Sequence, residues 1–115
     1  MAQGLPNAIE LTAALKAHGL PGGRQLLFLA AHCEAPGKAL NAANLAKHAK
    51  YQDWRGINLQ YGLLADSLGK HLGIKGKGLS LLLEFAKPKS ITNKEWVLVM
   101  RPEFAKALRV AGWVK

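Results

Sequence analysis

The spacing of apolar residues changes along this chain, and that change constrains its fold more than any other feature of the sequence. Up to about residue 72, apolar residues recur every three or four positions, which is typical of amphipathic helices. After that point two short apolar runs, 79–86 and 95–100, flank a basic loop rich in turn-forming residues, which predicts a β-hairpin. The pattern predicts an α+β chain, mostly helical, with about five helices and one hairpin.

Capping residues set the expected bounds of two helices. Asn7 and Glu10 have the spacing of a capping box, in which each side chain bonds the other residue's backbone amide, so a helix is expected over 8–18. Asn41 is a favourable N-cap because its side-chain oxygen accepts from a free amide of the first turn. A second capped helix is therefore expected over 42–49.

Two further helices and one short extended stretch complete the prediction up to residue 72. Residues 25–34 read QLLFLAAHCE, and this nearly continuous apolar run indicates a helix buried at the centre of the domain. Residues 38–40 are short and are expected to be extended. In the long helix expected over 54–72, Ile57 and Tyr61 face the core, which leaves positions 55, 58, 59 and 62 on the outward face.

The last predicted helix follows the hairpin. Proline is favoured at the first position of a helix because its missing N–H has no partner there in any case, so this helix is expected to begin at Pro102. Gly112 is expected to end it. Trp113 then follows as a large apolar residue that packs back on the core.

The charge of the chain is high and unevenly placed. At 115 residues it is expected to form one domain, 1–115, with a formal net charge of +9. Residues 1–34 hold two basic and two acidic residues, so the whole excess lies in residues 35–115. This distribution favours a polyanionic partner, and the alternative is a basic surface that is merely solvated.

Several classes of protein are excluded at this stage. The single cysteine, Cys33, permits neither an internal disulfide framework nor a cysteine-based zinc site. His32 and Cys33 are neighbours on a predicted helix and point about 100° apart, so they do not chelate one metal ion. We expect no catalytic centre, no cofactor, no membrane span and a cytoplasmic location.

The element order points to a specific interface. Two helices joined by a short turn, the second long, and followed by a hairpin, have the order of a winged helix-turn-helix, whose second helix enters the major groove of DNA. Arginine contacts guanine through two hydrogen bonds, and asparagine or glutamine contacts adenine in the same way. The candidate base-contacting residues are Arg55, Asn58, Gln60 and Gln52. For Asn58 and Gln60 the alternative is that they are ordinary solvated polar groups of a helix.

Lysines supply the candidate phosphate contacts. The hairpin loop, about residues 86–95, is the predicted wing, and its lysines reach phosphates without reading sequence. Other lysines flank the turn between the two helices and the connection before the hairpin. The candidate phosphate-contacting residues are Lys47, Lys50, Lys75, Lys77, Lys87, Lys89 and Lys94. Lysines at strand ends also suppress edge-to-edge aggregation, which is the alternative for the wing.

Two segments resemble a bacterial family. Its members carry a Gly-x-x-Asn-Leu-Gln-Tyr-Gly helix, which residues 55–62 resemble: Asn58–Gly62 match, and Arg55 stands at the position of the first glycine. They also carry an Arg-Pro-Glu-Leu…Gly-Trp-Val end, matched by residues 101–114 apart from Phe104. The block is similar to the N-terminal region of some proteins with a C-terminal HNH nuclease domain, and to stand-alone chains. The resemblance covers roughly residues 20–114 and implies a DNA-targeting module of restriction or defence type. This chain has no HNH residues, so cleavage is not implied.

The predicted function is therefore a non-enzymatic module for double-stranded DNA. A protein-binding adaptor or inhibitor, which presents the same basic face to an acidic protein, is a second hypothesis, since one fold supports many functions. RNA binding is a third, against which the small number of exposed aromatic residues counts mildly.

Overall fold

Five α-helices and three short strands form the part of the chain that the structure, a computed structural model, describes: residues 6–50, 54–74, 78–86 and 97–114. In chain order they are α1 Ala8–His18, α2 Gly23–Glu34, β1 Ala39–Asn41, α3 Ala42–Ala49, α4 Trp54–Leu72, β2 Leu83–Ala86, β3 Val97–Met100 and α5 Pro102–Val110. The predicted α+β, mostly helical class is confirmed.

The helix bounds expected from capping residues are also confirmed. The Asn7 side chain accepts a hydrogen bond from the Glu10 amide (2.8 Å), and the Glu10 carboxylate accepts one from the Asn7 amide (3.0 Å). Asn41 Oδ1 accepts from the amide of Asn44 (2.8 Å) at the start of α3. At the other end of α3, Lys50 adopts the left-handed conformation (φ 61°) and ends the helix.

The strands form one antiparallel sheet in the order β1-β3-β2. Leu98 at the middle of β3 pairs with Leu40 of β1 on one side and with Phe85 of β2 on the other. The predicted hairpin is thus present as β2 and β3. The short stretch expected to be extended becomes the third strand, one residue further on than predicted, at Ala39–Asn41.

The first predicted hairpin run is shorter than its apolar sequence indicates. Residues Gly78–Leu81 form a 3₁₀ turn, and only Leu83–Ala86 are in the strand. Leu81, Leu82 and Leu83 are all buried. A strand sends successive side chains to opposite faces, so it cannot bury three in a row against one core, whereas a turn that leads into the strand can.

The helix α4 crosses the centre of the fold and contacts α1 and α3. Its inward residues Ile57, Tyr61 and Leu68 have no exposed surface, as the helical spacing predicts. Fully burying an apolar side chain of this size contributes about 1.5–3 kcal/mol, so this row of residues stabilises the packing of three helices at once.

The prediction that α2 is buried at the centre is wrong. Its side chains Phe28, Leu29 and His32 are buried, but Leu27 is 49% exposed. The helix packs against α3 and keeps one face partly exposed, and the alanines on that face remove little apolar area from water when they pack. An apolar run of this length is therefore compatible with a one-sided helix.

The helices α1 and α5 pack side by side and run in the same direction. At one end the Ala8 amide donates to the Glu103 carboxylate (2.6 Å). At the other end the His18 and Trp113 rings lie 5.8 Å apart, centroid to centroid. Trp113 is 6% exposed, which confirms that it packs back on the core. This pair adds a second layer behind α4, because α1 also contacts that helix.

Candidate nucleic-acid interface

The described part of the predicted interface lies where α3 ends and α4 begins. Lys47 is exposed in the last turn of α3, Lys50 is exposed at its C-cap, and Arg55 is exposed in the first turn of α4. The two helices pack against each other and are joined by a connection of four residues, 50–53. Three of the predicted cationic residues therefore lie at one junction.

The two faces of α4 are arranged as the spacing predicts. Ile57 and Tyr61 are completely buried, while Arg55 and Leu59 are exposed. Asn58 is half-buried, at the edge of the outward face. The helix therefore presents Arg55 fully, and Asn58 in part, to a partner at its N-terminal end.

Gln60 has a partner within the chain. Its side-chain oxygen accepts a hydrogen bond from the side-chain nitrogen of Gln25 (2.5 Å), and both residues are half-buried. This bond joins α4 to α2 and orients the Gln60 amide towards α2. The sequence pattern does not predict it, because the two residues are 35 positions apart and neither has a neighbour that marks the contact.

A buried histidine connects the same helix to the sheet. His32 Nε2 lies 2.7 Å from the carbonyl oxygen of Leu98 in β3, and His32 Nδ1 lies 2.7 Å from the hydroxyl of Tyr61 in α4. A carbonyl only accepts, so Nε2 carries the proton and the neutral ring's Nδ1 accepts from the tyrosine hydroxyl. One imidazole thus joins α2, α4 and β3 through hydrogen bonds at both nitrogens.

Burial sets the protonation of both partners. Burial lowers the pKa of His32 below its usual value of 6.5, although hydrogen bonds with the backbone at Leu98 and Lys38 oppose the change. Burial, with a smaller contribution from Cys33, raises the pKa of Tyr61 well above 10.0. Each group is therefore neutral in the folded core near pH 7. The sequence signal for this pair is the inward position of Tyr61 on its predicted helix, together with the place of His32 inside the apolar run 25–34.

The other predicted site residues lie outside the described residues: Gln52, Lys75, Lys77, Lys87, Lys89 and Lys94. The described strands still locate the ends of the hairpin loop, since it leaves from Ala86 and returns at Val97. Val97 pairs with Asn41, the N-cap of α3. The loop therefore returns to the sheet beside the start of α3.

Two cavities open on the described surface. One, of about 360 Å³, lies beside the second half of α4 and has Asp66 and Lys70 as its charged lining residues. Another, of about 460 Å³, lies on the outer side of α2, and its lining includes the side chains of Glu34 and His48. Neither set of described lining residues includes a serine or cysteine nucleophile.

Within residues 6–50, 54–74, 78–86 and 97–114, histidine, cysteine, aspartate and glutamate form no group of three with metal-binding geometry. None of the helices that the structure describes combines the length and apolar character needed to cross a bilayer. Comparisons of the chain with protein-family models, with curated proteins and with solved structures gave no match.

Proposed function

We propose that this protein is a winged-helix module that binds double-stranded DNA without catalysing a reaction. In this proposal α4 enters the major groove, and the loop between β2 and β3 is the wing. The observation that carries it is the junction of α3 and α4, where Lys47, Lys50 and Arg55 are exposed at the start of the longest described helix. Helix-turn-helix modules read base edges from this end of the second helix.

The sheet topology supports the same proposal. The elements follow the order α2, β1, α3, α4, β2, β3, and the strand before the helix pair joins the hairpin by pairing with β3. This pairing brings the two residues that flank the loop, Ala86 and Val97, beside Asn41 at the start of the helix pair. The helices α1 and α5 lie outside this order and pack together.

The electrostatics of the junction favour a polyanion. Residues 41–50 and 54–65 contain no acidic residue, and Asp53 is the only one in the connection between them. A cluster of cations that meets phosphates releases bound counterions, so binding weakens as salt concentration rises. A protein partner that offers only a few carboxylates gives a much shallower salt dependence.

A titration of a labelled duplex at several salt concentrations tests the proposal. With about six phosphate contacts, the logarithm of the binding constant is expected to fall with the logarithm of salt concentration at a slope near −5. Lys47→Gln is expected to reduce that slope by about 1, whatever the duplex sequence. Lys106→Gln, which removes an exposed lysine from α5, is the matched control and is expected to leave the slope unchanged.

A separate variant tests, in the same assay, whether Arg55 contacts a base. Arg55→Ala is expected to cost about 1–3 kcal/mol on a duplex selected from a random pool, and much less on unselected duplex. Arg109→Ala removes an exposed arginine from α5 and is expected to change neither value. Absence of duplex binding at low salt contradicts the whole proposal. If competitor RNA binds in preference to the DNA duplex, the protein is an RNA-binding module instead.

A further inference from the structure

Two leucines occupy the middle of the outward face of α4. Leu59 is 58% exposed and Leu63, one turn later, is 55% exposed. Arg55 precedes Leu59 by one turn on the same face. The proposed recognition helix therefore presents an apolar side chain directly after its exposed arginine, where a helix that contacted only water or phosphate would carry a polar one.

A glycine beside this pair has no structural cause within the described chain. Gly62 lies mid-helix, and a Cβ added to it meets no atom within 4 Å. Glycine at such a position destabilises a helix relative to alanine. A surface free of side chains next to Leu59 lets the helix backbone come close to a partner, which accounts for a residue that otherwise only weakens α4.

The major groove of DNA has one kind of apolar group for such a side chain. This is the methyl group at C5 of a pyrimidine, which thymine carries and cytosine lacks. Methylated cytosine carries the same group at the same position. Residues one turn apart on a helix lie about 6 Å apart along its axis, so Arg55 and Leu59 address neighbouring base pairs or pairs one step further.

We propose that Leu59 recognises the 5-methyl group of a pyrimidine next to the base that Arg55 contacts, with Gly62 allowing the close approach. The inference rests on the proposed DNA-binding function and names what the helix reads. Charge favours DNA over an apolar protein as the occupant of this face. The leucines follow the cationic junction of Lys47, Lys50 and Arg55, and the first acidic residue of α4 is Asp66.

The experiment uses the full chain and duplexes that differ by single methyl groups. A duplex is selected from a random pool, and each thymine is replaced in turn by deoxyuridine, which lacks only the methyl group. A second selection uses a pool in which 5-methylcytosine replaces cytosine, followed by single replacement with cytosine. Loss of the contacted methyl group, from either base, is expected to weaken binding about fourfold, the value for exposing one buried carbon.

Two variants test whether Leu59 causes the discrimination between methylated and unmethylated duplexes. Leu59→Ala is expected to bind methylated and unmethylated duplexes equally, and to remain folded because the side chain is exposed. Val110→Ala on α5 removes an apolar side chain of matching exposure, 59%, and is expected to keep the discrimination of the unaltered chain. A thermal unfolding curve of each variant checks the fold.

The possible failures are distinguishable. If the chain binds duplex but no methyl replacement changes its affinity, the inference is overturned and DNA binding stands. If Leu59→Ala keeps the discrimination, another residue reads the methyl group and the inference is again overturned. If no duplex binds, both proposals fail, and Leu59 with Leu63 then fits a protein-docking face.

Discussion

His32 shows how a residue that looks like a candidate ligand acquires a structural role. Both of its ring nitrogens are within 2.7 Å of a partner, Tyr61 on one side and Leu98 on the other. A metal ion needs a nitrogen lone pair, and the only one on the neutral ring accepts from the tyrosine. In sequence, His32 stands beside Cys33 in an apolar run, and nothing local reveals that its partners lie 29 and 66 residues away.

The protonation of this pair predicts how stability depends on pH. Because the folded state lowers the pKa of His32, the unfolded chain binds the proton more readily, and stability is expected to fall as pH drops below 6.5. Because folding raises the pKa of Tyr61 well above 10.0, stability is also expected to fall above pH 10. Urea unfolding measured across this pH range checks both limits.

Two histidine variants separate this effect from general acid denaturation. In His32→Gln the free energy of unfolding is expected to lose less as pH drops below 6.5, because the imidazole no longer contributes to that loss. His48→Gln, which replaces an exposed histidine on α3, is expected to lose as much unfolding free energy below pH 6.5 as the unaltered chain does. If all three proteins lose the same unfolding free energy below pH 6.5, the role given to His32 is contradicted.

At the scale of the element, α4 combines a well-packed inward face with an outward face that sacrifices helix stability. Gly62 and Gly69 both lie inside this helix, but their surroundings differ. A Cβ at Gly62 meets open space, whereas a Cβ at Gly69 meets the carbonyl oxygen of Ile74 at 3.0 Å and a methyl group of Leu81 at 3.4 Å. A side chain at the second glycine is opposed by its close neighbours, whereas one at the first is not.

This contrast gives a paired prediction. Gly62→Ala is expected to raise the free energy of unfolding by about 0.4–1 kcal/mol and to weaken duplex binding, because the new methyl group stands in the path of the groove. Gly69→Ala is expected to bring no such gain, since backbone at Ile74 must move. Unfolding and duplex titration on both variants test this, and unchanged duplex affinity in Gly62→Ala contradicts the close approach.

How far the elements can be predicted depends on how local their causes are. The bounds of α1, α3 and α4 follow from caps and spacing within a few residues, so the sequence predicts them. The burial of α2 and the turn at Gly78–Leu81 depend on which elements pack against them, and periodicity carries no such information. At the interface, the outward position of Arg55 was predictable, but the bond between Gln60 and Gln25 was not.

At the scale of the whole molecule, α1 and α5, the helices nearest the two ends of the described chain, pack against each other. The amide of Ala8 at the start of α1 donates to the Glu103 carboxylate in the first turn of α5. That carboxylate therefore sits near the N-termini of two parallel helices, where free amides and both helix dipoles favour a negative charge. The 95 residues between the partners explain why the sequence predicts each helix but not their pairing.

A substitution at this contact is expected to weaken the whole fold. Glu103→Ala leaves the Ala8 amide without its acceptor and removes the charge from both helix ends, so a loss of about 1–2 kcal/mol in unfolding free energy is expected. Glu34→Ala, which removes an exposed carboxylate from the last turn of α2, is the control and is expected to have little effect. Equal losses in the two variants would assign the effect to net charge.

The imidazole of His32 also fixes the position of α4 along its axis relative to β3. Its two hydrogen bonds of 2.7 Å tolerate only a few tenths of an ångström, whereas sliding a helix by one residue moves it about 1.5 Å. The helix α4 therefore has one allowed register against β3, the strand to which the hairpin loop returns. The two hydrogen bonds of His32 thus help to fix the distance between α4 and Val97, the residue of β3 at which the hairpin loop returns.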